Sequence, residues 1–96
     1  MRPSEILQSR RSAVLAIATN LGASNVRVFG SVLRKEDSEK SDVDLLVDVP
    51  RGTTLLDMVR LQKALEAELG VPVDVLTDLD LPLSARGRVL QEAKSL

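Results

Sequence analysis

Two aspartates that alternate along a strand-like segment are the first residues of this sequence with an arrangement suited to chemistry. Asp42 and Asp44 flank Val43 at the start of an apolar run that continues to Val47. Side chains two residues apart on a strand share a face, so both carboxylates are predicted to project together. Close carboxylates repel each other unless a cation lies between them, and Mg²⁺ is commonly held by one or two carboxylates plus substrate phosphates. The alternative is that both side chains are solvated where the strand begins.

A third aspartate, Asp74, lies inside another apolar segment, between Val73 and Val75. A carboxylate in that setting either reaches water on an open face of the sheet or carries a large desolvation cost. If this strand lies beside residues 43–47, the three aspartates share one surface and could hold two metal ions roughly 3.5–4 Å apart. A solvent-facing aspartate on a half-exposed strand is the alternative.

Gly30 and Ser31 follow directly after a short apolar segment, Val26–Phe29. Glycine permits close backbone approach, and serine offers a hydroxyl and a backbone N–H. If a short helix begins there, its first amides favour a phosphate. Phosphate donors beside metal-binding carboxylates are what chemistry on nucleoside triphosphates needs. A plain turn, followed by solvated Arg34 and Lys35 in the next loop, is the alternative.

The composition narrows the chemistry further. The 96 residues include no His, Cys, Tyr or Trp and one Phe, which excludes imidazole catalysis, thiolate nucleophiles, disulfides and metals bound by His or Cys. A net charge of −1 and the near absence of aromatic residues disfavour nucleic-acid binding. No apolar run approaches the roughly 20 residues of a membrane span, and no signal peptide is apparent. A cytoplasmic location is the default expectation. Any chemistry must rest on carboxylates, hydroxyls, Arg, Lys and backbone amides, with a hard metal ion as the possible addition.

The elements that must position these residues are predicted in the order helix, strand, strand, helix, strand, helix. They are a helix from a Ser4 cap to Gly22, strands at 26–29, 43–47 and 71–76, a helix from Thr53 or Thr54 to Gly70, and a helix from about Leu81 to Lys94 capped by Asp80. Residues 34–41 are polar throughout and predict a loop. This order predicts one domain, residues 1–96, of the α/β or α+β class, with a small mixed β-sheet flanked by helices.

Three segments together resemble the signature of the minimal nucleotidyltransferases, small members of the polymerase-β-like nucleotidyltransferase superfamily. They are Phe29-Gly30-Ser31, Ser41-Asp42-Val43-Asp44-Leu45-Leu46-Val47 and Val73-Asp74-Val75-Leu76. The closing stretch Arg88–Ala93 is similar to the family's final helix, so the resemblance extends over residues 4–96 and implies a nucleotidyltransferase-like fold. One position departs from the family, which often has the pattern Gly-Ser-x-x-Arg-Gly. Arg34 fits this pattern, but Lys35 stands where the glycine is usual.

The resemblance implies Mg²⁺-dependent transfer of a nucleoside monophosphate, AMP from ATP, to an acceptor hydroxyl with release of pyrophosphate. It implies that Asp42 and Asp44 bind two Mg²⁺ ions. Asp74 would complete the catalytic metal site and help to activate the hydroxyl. The residues implied to contact the phosphates of the nucleotide are Gly30, Ser31 and Arg34.

A protein partner is also implied by the resemblance. Many members are similar to the antitoxin half of a toxin–antitoxin pair whose partner is a small helical HEPN ribonuclease, and some of them AMPylate a tyrosine on the toxin. This chain has no Tyr, so any tyrosine target lies on another chain. The alternative function is a non-catalytic module that neutralises or scaffolds its partner by binding through apolar stripes on residues 55–69 or 83–93. The preferred nucleotide, the acceptor and the oligomeric state stay open.

Overall fold

The computed structural model describes residues 1–96 and contains five α-helices and a four-stranded sheet. In chain order the elements are α1 (Pro3–Ser9), α2 (Arg11–Asn20), β1 (Ser24–Phe29), α3 (Gly30–Leu33), β2 (Val43–Asp48), α4 (Leu55–Leu69), β3 (Val73–Leu76), a 3₁₀ turn (Asp78–Asp80), α5 (Leu83–Glu92) and β4 (Lys94–Ser95). The predicted class, a small mixed sheet flanked by helices, is confirmed. None of the helices combines the length and the apolar character that a membrane crossing requires.

The sheet has the strand order β3-β2-β1-β4, with β2 and β3 parallel and the other neighbours antiparallel. Successive side chains on each strand point to opposite faces. The face toward α1, α2 and α4 carries the main core, in which Val43, Leu45 and Val73 are at most 1% exposed. The sequence left open whether the strand that carries Asp74 lies beside the strand that carries Asp44, and in the structure the two strands pair in parallel.

The opposite face of the sheet is only partly covered, and α5 provides the cover. Phe29, Leu46, Leu81 and Val89 form a smaller apolar cluster there. Leu46 is completely buried in this cluster, whereas Asp44, two residues earlier on the same face, lies beyond it. The uncovered half of this face is thus the half that carries the aspartates.

Helix α4 begins and ends where the sequence predicts. The Asp57 N–H donates to the Thr54 hydroxyl oxygen at 3.2 Å, and the Thr54 N–H donates to the Asp57 carboxylate at 2.9 Å. Gly70 ends the helix in the left-handed conformation, with φ +72°. The Glu66 carboxylate then accepts a hydrogen bond from the Val73 N–H at 3.0 Å. This contact fixes the start of β3 and therefore helps to set the position of Asp74 relative to the neighbouring strand.

The N-terminal segment forms two helices, and the prediction of one continuous helix was wrong. Helix α1 ends at Arg10, whose N–H donates to the carbonyls of Ile6 and Leu7, and α2 begins immediately after it. The stretch between Leu7 and Val14 is Gln-Ser-Arg-Arg-Ser-Ala, which offers no large apolar side chain to the core. The N-cap of α1 is Arg2 rather than the predicted Ser4.

The start of α5 also differs from the prediction. Pro82 disfavours a helical conformation at the residue before it, and Leu81 accordingly is extended, with φ −76° and ψ 137°. The helix therefore begins at Leu83. Asp80 caps the preceding 3₁₀ turn instead, where its carboxylate accepts a hydrogen bond from the Thr77 N–H at 2.9 Å.

The last strand was not predicted. Helix α5 ends at Glu92, and Lys94–Ser95 then pair with Arg27 and Val28 as the short edge strand β4. Two residues are too few to show the alternation by which a strand is recognised in a sequence.

Candidate active site

Three neighbouring strands align Phe29, Asp44 and Asp74 side by side across the sheet. We call Asp44 and Asp74, together with Asp42 just before β2, the aspartate row. Asp44 on β2 is in register with Asp74 on β3 and, on its other side, with Phe29, the last residue of β1. Val43 and Val73, the preceding residues on their strands, point into the main core. The two carboxylates therefore project side by side from the opposite face. Asp44 is half-buried and Asp74 is exposed.

The Asp44 carboxyl is unusually difficult to ionise. Burial, the negative charges of Asp74 and Asp42 and a hydrogen bond with Asp74 raise its pKa from 3.8 to about 6. The positive charge of Arg34 only partly offsets these effects. Neighbouring carboxylates disfavour each other's ionised form, and a cation between them removes that penalty. The row therefore has the electrostatic character of a cation site.

Asp42 lies at the margin of this pair. It is exposed and immediately precedes β2, and its charge still raises the pKa of Asp44. No group of three acidic side chains is placed so that it could hold a metal ion by itself. Mg²⁺ usually takes one or two carboxylates and completes its oxygen shell with water and substrate phosphates. The donor set of this row fits a Mg²⁺ ion that shares its coordination with a triphosphate.

Gly30 leaves room for the Asp44 side chain. A Cβ atom on Gly30 would overlap the Asp44 Oδ2 atom and lie 3.2 Å from its Cγ. Gly30 also has a φ of +74°, which L-residues with a side chain rarely adopt. Two independent reasons therefore favour glycine at this position, and the first of them, the collision with Asp44, concerns the aspartate row.

Ser31 and Arg34 continue from this glycine. The Ser31 carbonyl accepts a hydrogen bond from the Glu36 N–H at 2.9 Å, which closes the chain back over α3. The Arg34 Nη1 atom donates to Glu92 at 2.8 Å and its Nε atom to Glu36 at 3.2 Å. These partners raise the pKa of Arg34. The guanidinium is thus already paired with two glutamates, although its positive charge still lowers the pKa of Asp44 slightly against the other effects.

Lys35 occupies a position whose backbone favours glycine. Its φ is +57°, in the left-handed region that L-residues with a Cβ avoid. The Lys35 carbonyl accepts a hydrogen bond from the Arg2 Nη2 atom at 3.1 Å, which helps to hold this conformation. The turn therefore keeps the backbone that glycine would adopt, even though the residue departs from the family pattern.

Asp37 is a residue that sequence reasoning missed. It lies in the polar loop 34–41, yet its side chain has no exposed surface. Its carboxylate accepts hydrogen bonds from the Ser4 N–H at 2.9 Å and from Arg2 Nη2 at 3.2 Å. Burial opposes ionisation of Asp37, but the hydrogen bonds from Ser4 and Arg2 outweigh it and lower the pKa. The loop that joins Arg34 to Asp42 is thereby attached to the start of α1.

Comparisons with known proteins show what this chain is similar to. The model of the nucleotidyltransferase domain family matches residues 10–96. A candidate protein adenylyltransferase of Methanocaldococcus jannaschii is 41% identical over 80 residues, which are 83% of this chain and 86% of the relative. The protein adenylyltransferase MntA of Thermococcus cleftensis is 41% identical over 71 residues, 74% of this chain and 72% of the relative.

Two solved structures have the same fold. One is described as a candidate minimal nucleotidyltransferase and superposes with a TM-score of 0.85 at 50% identity, over 97% of this chain and 95% of the other. The second belongs to a toxin–antitoxin complex with AMP-PNP and superposes with a TM-score of 0.76 at 16% identity, over 88% of this chain and 69% of the other. This chain therefore belongs to the nucleotidyltransferase domain family, and it is a minimal nucleotidyltransferase enzyme.

Proposed function

We propose that this enzyme transfers AMP from ATP to a hydroxyl group of a partner protein and that the transfer requires Mg²⁺. The observation that carries the proposal is the pair of carboxylates on neighbouring strands, Asp44 and Asp74, which are in register with each other. Gly30 packs against Asp44 and leaves room for its side chain. Relatives described as protein adenylyltransferases support the choice of AMP and of a protein acceptor.

Each aspartate of the row has a role in this proposal. Asp42 and Asp44 hold two Mg²⁺ ions, and Asp74 completes the site from the neighbouring strand. When bound, Mg²⁺ supplies the positive charge that neutralises the triphosphate and the carboxylates together. The residues that contact the phosphates are Gly30, Ser31 and Arg34.

The reaction forms a bond between the acceptor oxygen and the α-phosphorus of ATP. The bond from that phosphorus to the bridging oxygen breaks, and pyrophosphate leaves. Asp74 receives the acceptor proton, because the chain has no His and a carboxylate is the remaining general base in the row. Since β3 is the outer strand of the sheet, a hydroxyl on another protein can approach Asp74 from the side.

The partner is proposed to be a toxin of the helical HEPN ribonuclease class, which this chain would neutralise in the cytoplasm as an antitoxin. The fold shared with a chain of a toxin–antitoxin complex supports a toxin partner. A tyrosine of that toxin would be a suitable acceptor, because its phenolic oxygen projects far enough from a surface to reach the row.

The proposal is tested by incubating the purified chain with Mg²⁺, α-labelled ATP and the protein that co-purifies with it. We expect label on the partner, and we expect Asp44→Asn to reduce the rate by at least roughly 100-fold, the usual effect of removing a group that stabilises charge in the transition state. Asp48→Asn is the matched control: Asp48 lies on the same strand and face but pairs with Arg27 at 2.8 Å. Transfer that survives Asp44→Asn unchanged, or no transfer from any triphosphate, would contradict the proposal.

A second candidate function, neutralisation by binding alone, is favoured by exposed leucines. Leu55, Leu79 and Leu83 are 81%, 84% and 82% exposed, at the starts of α4 and α5 and in the turn between β3 and α5. If the Asp44→Asn variant inhibits the partner as strongly as the wild type does, binding accounts for the inhibition. If inhibition needs both ATP and Asp44, transfer accounts for it.

A further inference from the structure

A polar cavity of about 370 Å³ lies between α5 and Arg34, the residue that follows α3. Its lining residues are Arg34, Arg88, Gln91 and Glu92, with no apolar side chain among them. Arg34 connects the cavity to the row, because its charge acts on Asp44. A larger cavity of about 880 Å³ lies between α1, α3 and β4, and neither an aspartate of the row nor Arg34 lines it.

The helical period of α5 places Arg88 on the side of the helix that faces Arg34. The Arg86 Nη2 atom donates to the Leu81 carbonyl at 3.1 Å, just before α5 begins. Residues two apart on a helix are separated by about 200° around its axis. Arg88 therefore lies on the other side of α5, together with Glu92, which contacts Arg34.

The two guanidinium groups of the cavity are in different states. Arg34 is held by Glu92 and Glu36. Arg88 is exposed and takes part in none of the hydrogen bonds or ion pairs of the chain, so all of its donors are free. A guanidinium has a planar fork of donors that matches phosphate oxygens. Arg88 is therefore the cavity's available anion-binding group.

We propose that Arg88 is a second phosphate-binding residue of the nucleotide site and contacts the triphosphate from the wall opposite Arg34. This inference rests on the proposed function, since it requires a triphosphate at the aspartate row. The chemistry of the cavity favours it, because a triphosphate brought beside three aspartates needs positive charge on more than one side. Arg34 alone is already shared between two glutamates.

The test is equilibrium binding of Mg²⁺–ATP and of Mg²⁺–tripolyphosphate, measured by calorimetry on the full chain. We expect Arg88→Ala to weaken both ligands by roughly tenfold, the usual effect of losing a charged hydrogen bond. Arg88→Lys should restore part of the affinity, because lysine keeps the charge but not the fork. Arg51→Ala, in an exposed turn at the other end of β2, removes the same charge and should leave both affinities unchanged.

Two binding results would overturn the role of Arg88. The first is unchanged binding of both ligands by Arg88→Ala; a raised KM for the protein acceptor in that case would assign Arg88 to an acidic segment of the partner. The second is weaker binding of ATP but not of tripolyphosphate, which would place Arg88 against the nucleoside. A wild-type chain that binds both ligands but transfers no label would instead overturn the proposed function, while the affinity of Arg88→Ala would still decide this inference.

Discussion

Asp37 and Asp44 are both withdrawn from water, and their surroundings have opposite effects on them. Asp37 accepts hydrogen bonds from the Ser4 N–H and from Arg2, and its pKa is lowered despite its burial. Asp44 lies among other carboxylates, and its pKa is raised to about 6. The Asp37 carboxylate is thus satisfied by hydrogen-bond donors of the chain itself, whereas the Asp44 carboxylate is surrounded mainly by other hydrogen-bond acceptors.

This difference separates a carboxylate with a structural role, Asp37, from one with a proposed functional role, Asp44. A buried carboxylate with donors stabilises the segments that it joins, which here are the loop 34–41 and α1. A cluster of carboxylates without sufficient positive charge costs stability and is retained where a ligand supplies that charge. The contrast explains why the row around Asp44, and not the better-buried Asp37, is the candidate active site.

The largest effect is expected from crowding Asp44. Gly30→Ala places a Cβ against the Asp44 carboxylate and should reduce AMP transfer by roughly 100-fold or more, as displacement of a charge-stabilising group does. The measurement is the transfer assay, together with thermal unfolding.

Gly22→Ala is the matched control for this variant. Gly22 has a φ of +87°, and a Cβ added to it would meet no other atom within 4 Å. It therefore carries a similar backbone penalty, roughly 1–2 kcal/mol, without the collision. Equal activities of the two variants would show that contact with Asp44 does not matter.

The second effect concerns stability at Asp37. Asp37→Asn should lower the free energy of unfolding by about 1–2 kcal/mol at pH 7, because the amide loses the charged hydrogen bonds from Ser4 and Arg2. Its lowered pKa means that the wild type has this stabilisation above the unfolded-state pKa and loses it as the pH falls through the lower folded-state value. The variant's deficit should therefore shrink in acid. Urea unfolding at pH 7 and pH 3 measures this, and an equal deficit at both values would contradict a role for the charge.

A smaller effect of opposite sign is expected at Asp44. Its pKa is raised on folding, so its contribution to stability is complete below pH 3.8 and is lost as the pH rises through about 6. Asp44→Asn should therefore stabilise the metal-free chain by about 1 kcal/mol at pH 7, less than the full pKa shift would give because the group is partly solvated. The gain should vanish near pH 4. If Asp44→Asn is less stable than the wild type at pH 7, burial and repulsion among the aspartates do not destabilise the metal-free chain.

The aspartate row could be predicted because it depends on local alternation. Asp44 follows a buried valine and Asp74 lies between two valines, so the period of the strand assigns their face directly. Asp42 precedes β2, and its place beside them stays a prediction. The capping pair of Thr54 and Asp57 is equally local. What the sequence left conditional was the pairing of β3 with β2, because parallel pairing depends on the packing of the helix between them.

The features that were missed depend on contacts between distant segments. The Asp37 carboxylate is buried by Arg2 and Ser4, and nothing in its own loop distinguishes it from its solvated neighbours. The break between α1 and α2 at Arg10 has no local signal, because the sequence around it contains neither Gly nor Pro. Glu92 lies at the end of a predicted helix, but its contact with Arg34 spans 58 positions of the chain.

The most direct test of the account is the pKa of Asp44 itself, measured by carboxyl ¹³C NMR with and without Mg²⁺ and a non-hydrolysable ATP analogue. We expect a value near 6 in the free chain and a clear decrease when both ligands are present, because bound Mg²⁺ favours the ionised carboxylate. An ordinary value in the free chain, or a raised value that the ligands do not change, would contradict the assignment of this row as the site where the nucleotide reacts.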